Sequence, residues 1–238
     1  MLAAVAAIAV IAACFVGGLF LFSEDNEKTA GPSPSASASK GSSSPTASPS
    51  PTASPIDISS RATDPDPLTV QELFGDKKLS IDDNSTGETR TYDVVKTEEL
   101  KDCRKGVTGD ELGNVLADLG CNQVVRAAIN TEDGKYGMTA GAFNLKEKGH
   151  SAKIDPLIKG DKGSFTGLEG PGASAQINKA SLMIYWQEQG HYMIYVIICR
   201  GDGKQIDDKD PRLGQIGTDI LISHLATKLA ERTGTVDN

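Results

Sequence analysis

The chain has 238 residues, a formal net charge of −8 at pH 7 and only 5% aromatic residues. This acidic balance argues against a nucleic-acid partner, because binding to phosphates needs clusters of Lys and Arg. It argues equally against docking onto anionic lipid. No motif in the chain names a reaction, so the sequence is informative about location and architecture rather than chemistry.

The first element is an apolar run from Leu2 to Phe22 that contains no charged side chain. A helix that crosses the hydrocarbon core needs about 20 such residues, so we predict a transmembrane anchor over residues 1–22. A lipoprotein signal acylated at Cys14 and a cleaved signal peptide are the alternatives. We favour the anchor because Phe15 and the residues after it continue the apolar run beyond Cys14.

Residues 23–65 form the second segment, and from Thr29 to Pro55 they are almost all Ser, Pro, Ala, Thr and Gly. Such a segment buries too little to offset its ordering entropy, so we predict a disordered linker. No Lys or Arg precedes the apolar run to fix its orientation, which suggests that the natural chain begins upstream of Met1. We still expect the long polar remainder to be translocated. One extracytoplasmic domain, residues 66–234, would follow the linker.

The domain is predicted to open with a short helix capped by Asp66, followed by a loop over Leu79–Thr89 and a strand over Arg90–Thr97. The next helix has the clearest local pattern, because Thr108 and Glu111 form a capping box. Its apolar face and the C-cap glycine at Gly120 complete the signal.

Two of the four cysteines, Cys103 and Cys121, flank this helix. We predict a disulfide between them, which outside the cytoplasm can form and persist. Closing a loop of this size contributes roughly 3 kcal/mol to stability. Cys199, which ends an apolar strand, is left as a buried thiol rather than a reactive one.

The remaining predicted elements alternate between strands and helices. They are strands over 123–130 and 136–145, a short helix over 150–158 stopped by Pro156, a long loop over 159–172, strands over 180–187 and 191–199, and a last helix opened by Asp210-Pro211. The apolar stripe of the last helix comprises Thr218, Leu221, Ile222, Leu225, Ala226 and Leu229. This order predicts an α+β domain with a mostly antiparallel sheet and about three helices on one face, in a ferredoxin-like or related arrangement.

The hairpin over 180–199 is apolar on both faces, whereas a sheet covered on one face should alternate with polar residues. The uncovered face therefore needs a partner, and Trp186, Tyr192 and Tyr195 are its candidate interface residues. We expect a homodimer first, a lid formed by the 159–172 loop second, and a bound apolar ligand third.

Three stretches resemble a group of uncharacterised actinobacterial surface proteins: Cys121–Ala127 after the capped helix, Phe143–Leu145, and Gly190–Tyr192 at the start of a strand. The resemblance covers about Arg90 to Arg232. It implies an N-terminal anchor, a Ser/Pro/Thr stalk and one disulfide-bearing domain, and it carries no assigned activity.

Candidate chemical groups are few. His150, His191 and His224 are well separated and lack metal-ligand spacing; we expect His224 to be solvated and His191 to support the hairpin turn. No cofactor motif is present. The acidic loop predicts a solvated turn rather than a calcium site. Its carboxylates are Asp202, Asp207, Asp208 and Asp210.

These observations predict a single-pass membrane protein whose extracytoplasmic domain binds, senses or associates with the cell envelope without catalysis. The ligand is not named by the sequence. A wall-acting hydrolase and a passive partner in a surface complex are the alternatives. A histidine placed beside an acid, or two carboxylates in one cleft, would favour the hydrolase.

Overall fold

A computed structural model describes residues 55–83 and 86–234 of the chain. The predicted anchor, Cys14 and the predicted linker as far as residue 54 lie outside this range. Within the described residues, no helix combines the length and the apolar character needed to span a membrane.

Within the described residues, the fold is built from eight strands and a smaller set of helices. The strands are β1 (Lys78–Asp83), β2 (Glu88–Leu100), β3 (Val107–Thr108), β4 (Gln123–Thr131), β5 (Tyr136–Asn144), β6 (Ser164–Phe165), β7 (Leu182–Gln189) and β8 (Tyr192–Arg200). The α-helices are α1 (Val70–Phe74), α2 (Asp110–Asp118), α3 (Ser151–Lys159), α4 (Pro211–Thr218) and α5 (Thr227–Arg232). A π-helical segment, Asp219–Ala226, joins α4 to α5, and 3-10 turns span Cys103–Gly106 and Gly172–Gln176.

Six strands form one antiparallel sheet in the spatial order β1-β2-β4-β5-β8-β7, which curls into a half-barrel. A β-bulge between Val94 and Lys96 interrupts the β2–β4 register, and such bulges increase local twist. The α+β class is confirmed. The predicted antiparallel sheet is confirmed as well, since every neighbouring pair of these strands is antiparallel. A ferredoxin-like core contains two split β-α-β units; in this sheet α3 makes one such connection, from β5 to β7 with β8 between them.

Helices lie on both faces of the sheet, not on one as predicted. One core layer joins the sheet to α1 and to the continuous helix from α4 to α5, with Met183, Tyr192 and Ile194 on the sheet side. The second layer joins it to α2, α3 and the segment from β6 to Ile177, with Tyr195 on the sheet side. The apolar character of both faces of the β7–β8 hairpin is therefore explained within one chain.

Several helix ends differ from the predicted ones. The first helix begins after Thr69, whose side chain caps it in a capping box with Glu72, rather than after Asp66. At α2 the predicted box does not form, because Gly109 is the N-cap residue, with φ 79°, and no side chain caps the helix. The Thr108 side chain instead accepts from the Ser164 amide, which joins β3 to β6.

The C-terminal helix begins as predicted, since Asp210 accepts from the Arg212 amide and Pro211 takes the first turn. The predicted apolar stripe is wrong in part, because Ile222 is 45% exposed. The π-helical segment turns other residues inward. Its buried residues are Asp219, Ile220, Leu221, His224 and Leu225.

The Cys103–Cys121 disulfide is present, with 6.2 Å between the two Cα atoms. It joins the turn before α2 to the residue after the helix. Gly120, with φ 70°, ends α2 in the left-handed conformation predicted for it. Cys199 is buried and forms no disulfide with another cysteine of the described range.

Candidate functional site

Several buried polar groups that bond one another lie at one end of the domain, where the described chain begins and ends. We call this the entry end; it comprises residues 57–64, 145–150 and 188–192 with Arg232. Residues 58–61 add backbone hydrogen bonds here: the His191 amide donates to the Ile58 carbonyl at 2.7 Å and the Arg61 amide to the Lys146 carbonyl at 2.9 Å.

Asp64 is the centre of the entry end and is 0% exposed. Arg232 holds both of its oxygens, at 2.6 and 3.2 Å, and the Tyr192 hydroxyl donates to Oδ2 at 2.5 Å. His191 Nε2 lies 3.3 Å from the same oxygen, and His191 Nδ1 lies 2.9 Å from the Leu145 carbonyl. Both imidazole nitrogens therefore face an oxygen acceptor.

Burial alone would raise the pKa of Asp64, but the hydrogen bonds from Arg232, Tyr192 and His191 outweigh it and hold the pKa below its ordinary value. Burial and the Asp64 carboxylate raise the pKa of Tyr192 far above its usual range. Arg232 also pairs with Glu72, at 2.7 Å. The cluster is an ionised aspartate clamped by a shared arginine.

His150 forms the second part of the entry end. Its ring is 0% exposed; Nδ1 lies 3.2 Å from the Glu147 carbonyl, whereas Nε2 has no hydrogen-bond partner among the described residues and lies 3.7 Å from Glu188 Oε2. Burial lowers the pKa of His150. Glu188 accepts from the Gly149 and Ser151 amides at 2.6 and 3.1 Å, and so caps the start of α3.

A shallow cavity of about 230 Å³ opens at the surface of the entry end. Arg61 in its wall is already engaged, since its guanidinium donates to the Gly120 carbonyl at 2.7 Å. Lys146 and Glu147 remain exposed and lie 3.6 Å apart. The cavity can therefore contact a small polar group. Its walls are Ser60, Arg61, Ala62, Lys146 and Glu147.

The His191–Asp64 pair has the geometry of a base and the acid that orients it. Two features oppose that role. Both residues are completely buried, so a substrate cannot touch the ring, and Arg232 already neutralises the carboxylate. These contacts hold the first described residues against the β7–β8 turn and against the end of α5.

The other predicted groups are placed elsewhere. His224 is buried, not solvated; its Nε2 lies 2.7 Å from the Leu73 carbonyl, and burial lowers its pKa. Cys199 is buried as predicted, and burial raises the pKa of its thiol to about 11, which suppresses the reactive thiolate.

The acidic loop lies at the opposite end of the sheet from the entry end. Asp202 pairs with Arg200 at 2.8 Å and with Lys204 at 3.5 Å, and Asp210 accepts from the Tyr136 hydroxyl and the Arg212 amide. Within the described residues, no group of three or more His, Cys, Asp or Glu is placed to hold a metal ion.

The predicted interface residues do not form a surface. Tyr192 and Tyr195 are 0% exposed, each in a different core layer of its own chain. Trp186 alone is partly exposed, and its indole donates to Asp155 at 2.9 Å. Both tyrosines therefore lie in the core of their own chain, because α1, α2, α3 and the C-terminal helix cover the two faces. The homodimer stays a prediction.

Sequence reasoning did not identify Asp64, Glu72 and Arg232 as a cluster. Asp64 falls in the stretch assigned to the linker, and Arg232 lies near the end of the last predicted helix. Their separation of up to 168 residues leaves no local pattern to detect. The repeated Asp-Pro at residues 64–67 is visible in the sequence, but it does not indicate which arginine Asp64 would contact.

The fold and the entry end define the class: an α+β domain around a curled antiparallel sheet, closed by one disulfide and clamped by a buried ion cluster. No family model matches the chain, and no curated protein or solved structure matches it.

Proposed function

We propose that this protein is a membrane-tethered binding or sensor domain on the outer side of an actinobacterial-type cell envelope, without catalysis of its own. The Cys103–Cys121 disulfide carries the proposal, because such bonds persist outside the reducing cytosol. The apolar run over residues 1–22 supplies the anchor, and the Ser/Pro-rich stretch after it supplies a spacer. The cavity at the entry end is the binding site we propose.

The placement of the ionisable groups supports binding over catalysis. The three histidines are buried in the core or in the clamp, and the thiol of Cys199 is buried as well. The groups offered to solvent at the cavity are Lys146 and Glu147, which suit contacts with a polar, mixed-charge surface such as a peptide-bearing wall polymer. The domain would therefore hold or detect envelope material.

The location is tested by labelling intact cells with a membrane-impermeant maleimide. Asp76 is exposed, so Asp76→Cys in a Cys14→Ser background should react before lysis. The unsubstituted Cys14→Ser chain is the control and should stay unlabelled, because Cys199 is buried. Labelling of Asp76→Cys only after lysis would place the domain inside the cell and refute the proposal.

The binding role is tested by sedimenting the full chain with purified cell-wall sacculi. We expect Lys146→Glu to lower the bound fraction several-fold, while Lys101→Glu, at an exposed position that does not line the cavity, retains it. Equal binding by both variants would remove the cavity as the site.

The hydrolase alternative rests on the 3.3 Å approach of His191 to Asp64. Its test uses the same sacculi, with release of soluble wall fragments as the readout. We expect no release. Release that His191→Gln abolishes would replace the binding proposal with the enzyme.

A further inference from the structure

Among the residues that the structure describes, strand β7 is an edge of the six-stranded sheet, since β8 is its one partner there. Proteins usually protect such an edge with Lys, Pro or a bulge, because its free backbone groups can pair with another chain. The opposite edge, β1, carries Lys78, Asp82 and Asp83 among its six residues. By contrast, Leu182–Trp186 of β7 contains no charge and no proline.

The turn next to β7 determines which backbone groups point outward. Gln189 pairs with Tyr192 across a two-residue turn whose first residue, Gly190, has φ 59°. The residues that flank such a turn form a hydrogen-bonded pair, and hydrogen-bonded pairs alternate along an antiparallel ladder. Gln189 therefore faces β8. The residues whose amide and carbonyl face the open edge are Leu182, Ile184, Trp186 and Glu188.

The apolar half of β7 is symmetric about Ile184. An antiparallel second copy, related by a two-fold axis at Ile184, would place Leu182 opposite Trp186 and Met183 opposite Tyr185. Every pair is apolar, and each joins residues from the same face of the sheet. Two like charges directly opposite each other would be destabilising. In this register Glu188 does not face a charge of the same sign.

The same register satisfies the free backbone groups. Ile184 would exchange two hydrogen bonds with Ile184 of the second copy, and the two Leu182–Trp186 pairs would exchange two each, about six in all. The side chains along this edge leave room for a second strand, because they are only half-buried. They are Leu182, Ile184, Tyr185 and Trp186. Elsewhere in the described residues, the large hydrophobics that are exposed are Ile56 and Ile222.

We propose that β7 is the interface of a homodimer, in which two half-barrels join edge to edge through antiparallel β7 strands with Ile184 on the two-fold axis. This inference uses no feature of the proposed envelope function, and each can fail without the other. It replaces the expected face-to-face dimer with pairing along the sheet edge.

Disulfide crosslinking of the full chain tests the register in a Cys14→Ser background, in detergent with copper phenanthroline as oxidant. Ile184→Cys should give a covalent dimer, because the two Cα atoms would be about 5.5 Å apart, within disulfide reach. Gln187→Cys is the matched control. In this register its two copies lie six positions apart, or about 20 Å, and should not crosslink.

Light scattering on the same full chain tests the dimer without crosslinking. We expect dimer mass for the wild type and for Ser80→Lys, which adds a cation to the β1 edge, and monomer mass for Ile184→Lys. Circular dichroism checks that Ile184→Lys is folded. If it is unfolded, the comparison of Ile184→Cys with Gln187→Cys crosslinking tests the dimer instead. A monomeric wild type, or equal crosslinking of Ile184→Cys and Gln187→Cys, would overturn the proposal. In either case an extended peptide from another protein becomes the occupant to seek.

Discussion

At the scale of single residues, the fold depends on charges that the interior can hold only as pairs. Asp64 and Asp219 are both buried, and each accepts hydrogen bonds from an arginine and from a tyrosine hydroxyl. In each cluster the arginine comes from a distant part of the chain. Removing one partner of such a cluster leaves the other charge desolvated and unpaired, which is costly.

We expect Asp64→Asn to lower the free energy of unfolding by about 3–5 kcal/mol, because Arg232 would keep a buried charge with only Glu72 to balance it. Urea denaturation at pH 7 measures the loss. Asp66→Asn is the control, since its side chain is exposed, and should stay within about 0.5 kcal/mol of wild type. Equal small effects of the two variants would show that the clamp is not a stability element.

At the scale of elements, sequence patterns predicted the structure well where contacts between neighbouring residues determine it. The β4–β5 and β7–β8 hairpins, the Asp210-Pro211 start and the Gly120 end of α2 all follow from turn and capping chemistry within a few residues. The prediction was wrong where a distant segment competes. Thr108 bonds Ser164 of β6 rather than capping α2, and β1 forms from a polar stretch because β2 is there to pair with it.

The disulfide is the first element-scale test. We expect Cys103→Ser with Cys121→Ser to lower stability by roughly 3 kcal/mol, seen as a fall of several degrees in Tm. Thiol titration of the unfolded Cys14→Ser chain should find one free thiol, Cys199. Three free thiols would show that the bond does not form in the native compartment.

Two glycines of α4 provide a matched pair of tests. A Cβ on Gly217 would lie 2.9 Å from the Tyr185 ring, whereas one on Gly214 would meet nothing within 4 Å. We expect Gly214→Ala to stabilise by up to about 1 kcal/mol through helix propensity. Gly217→Ala should instead destabilise by about 1–3 kcal/mol through overpacking against β7. Thermal unfolding of both variants decides, and a stabilised Gly217→Ala would mean that α4 sits farther from the sheet.

At the scale of the whole molecule, the sequence predicted the class but not the arrangement. The apolar residues on both faces of β7 and β8 indicated that both sides of the sheet need cover, but helices were predicted on one face only, whereas they lie on both. The pattern could not show what covers the second face, because α2, α3 and Phe165 reach that face only through the spatial order of the strands. Strand order and the Asp64–Arg232 contact depend on long-range packing, which no local pattern encodes.

The last prediction concerns the response of the whole domain to acid. Burial lowers the pKa of His150 and His224 below 6.5. Just below pH 6.5 the two histidines therefore bind more protons in the unfolded chain than in the folded one. Stability should therefore be complete above about pH 6.5 and fall below it, at up to about 1.4 kcal/mol for each unit of pKa shift. Asp64 and Glu188, whose folded pKa values lie below 3.8 and 4.5, add a further loss only at lower pH.

Urea denaturation between pH 8 and pH 5 measures this slope. The variant His150→Asn with His224→Gln should flatten it. The asparagine amide can replace Nδ1 of His150 toward the Glu147 carbonyl, the glutamine amide can replace Nε2 of His224 toward the Leu73 carbonyl, and neither titrates. The carboxylate-linked loss below about pH 4.5 should remain in that variant. An unchanged slope between pH 7 and pH 5 would mean that both histidines are protonated as easily in the folded chain as in the unfolded one, and that their burial does not control the acid stability of the domain.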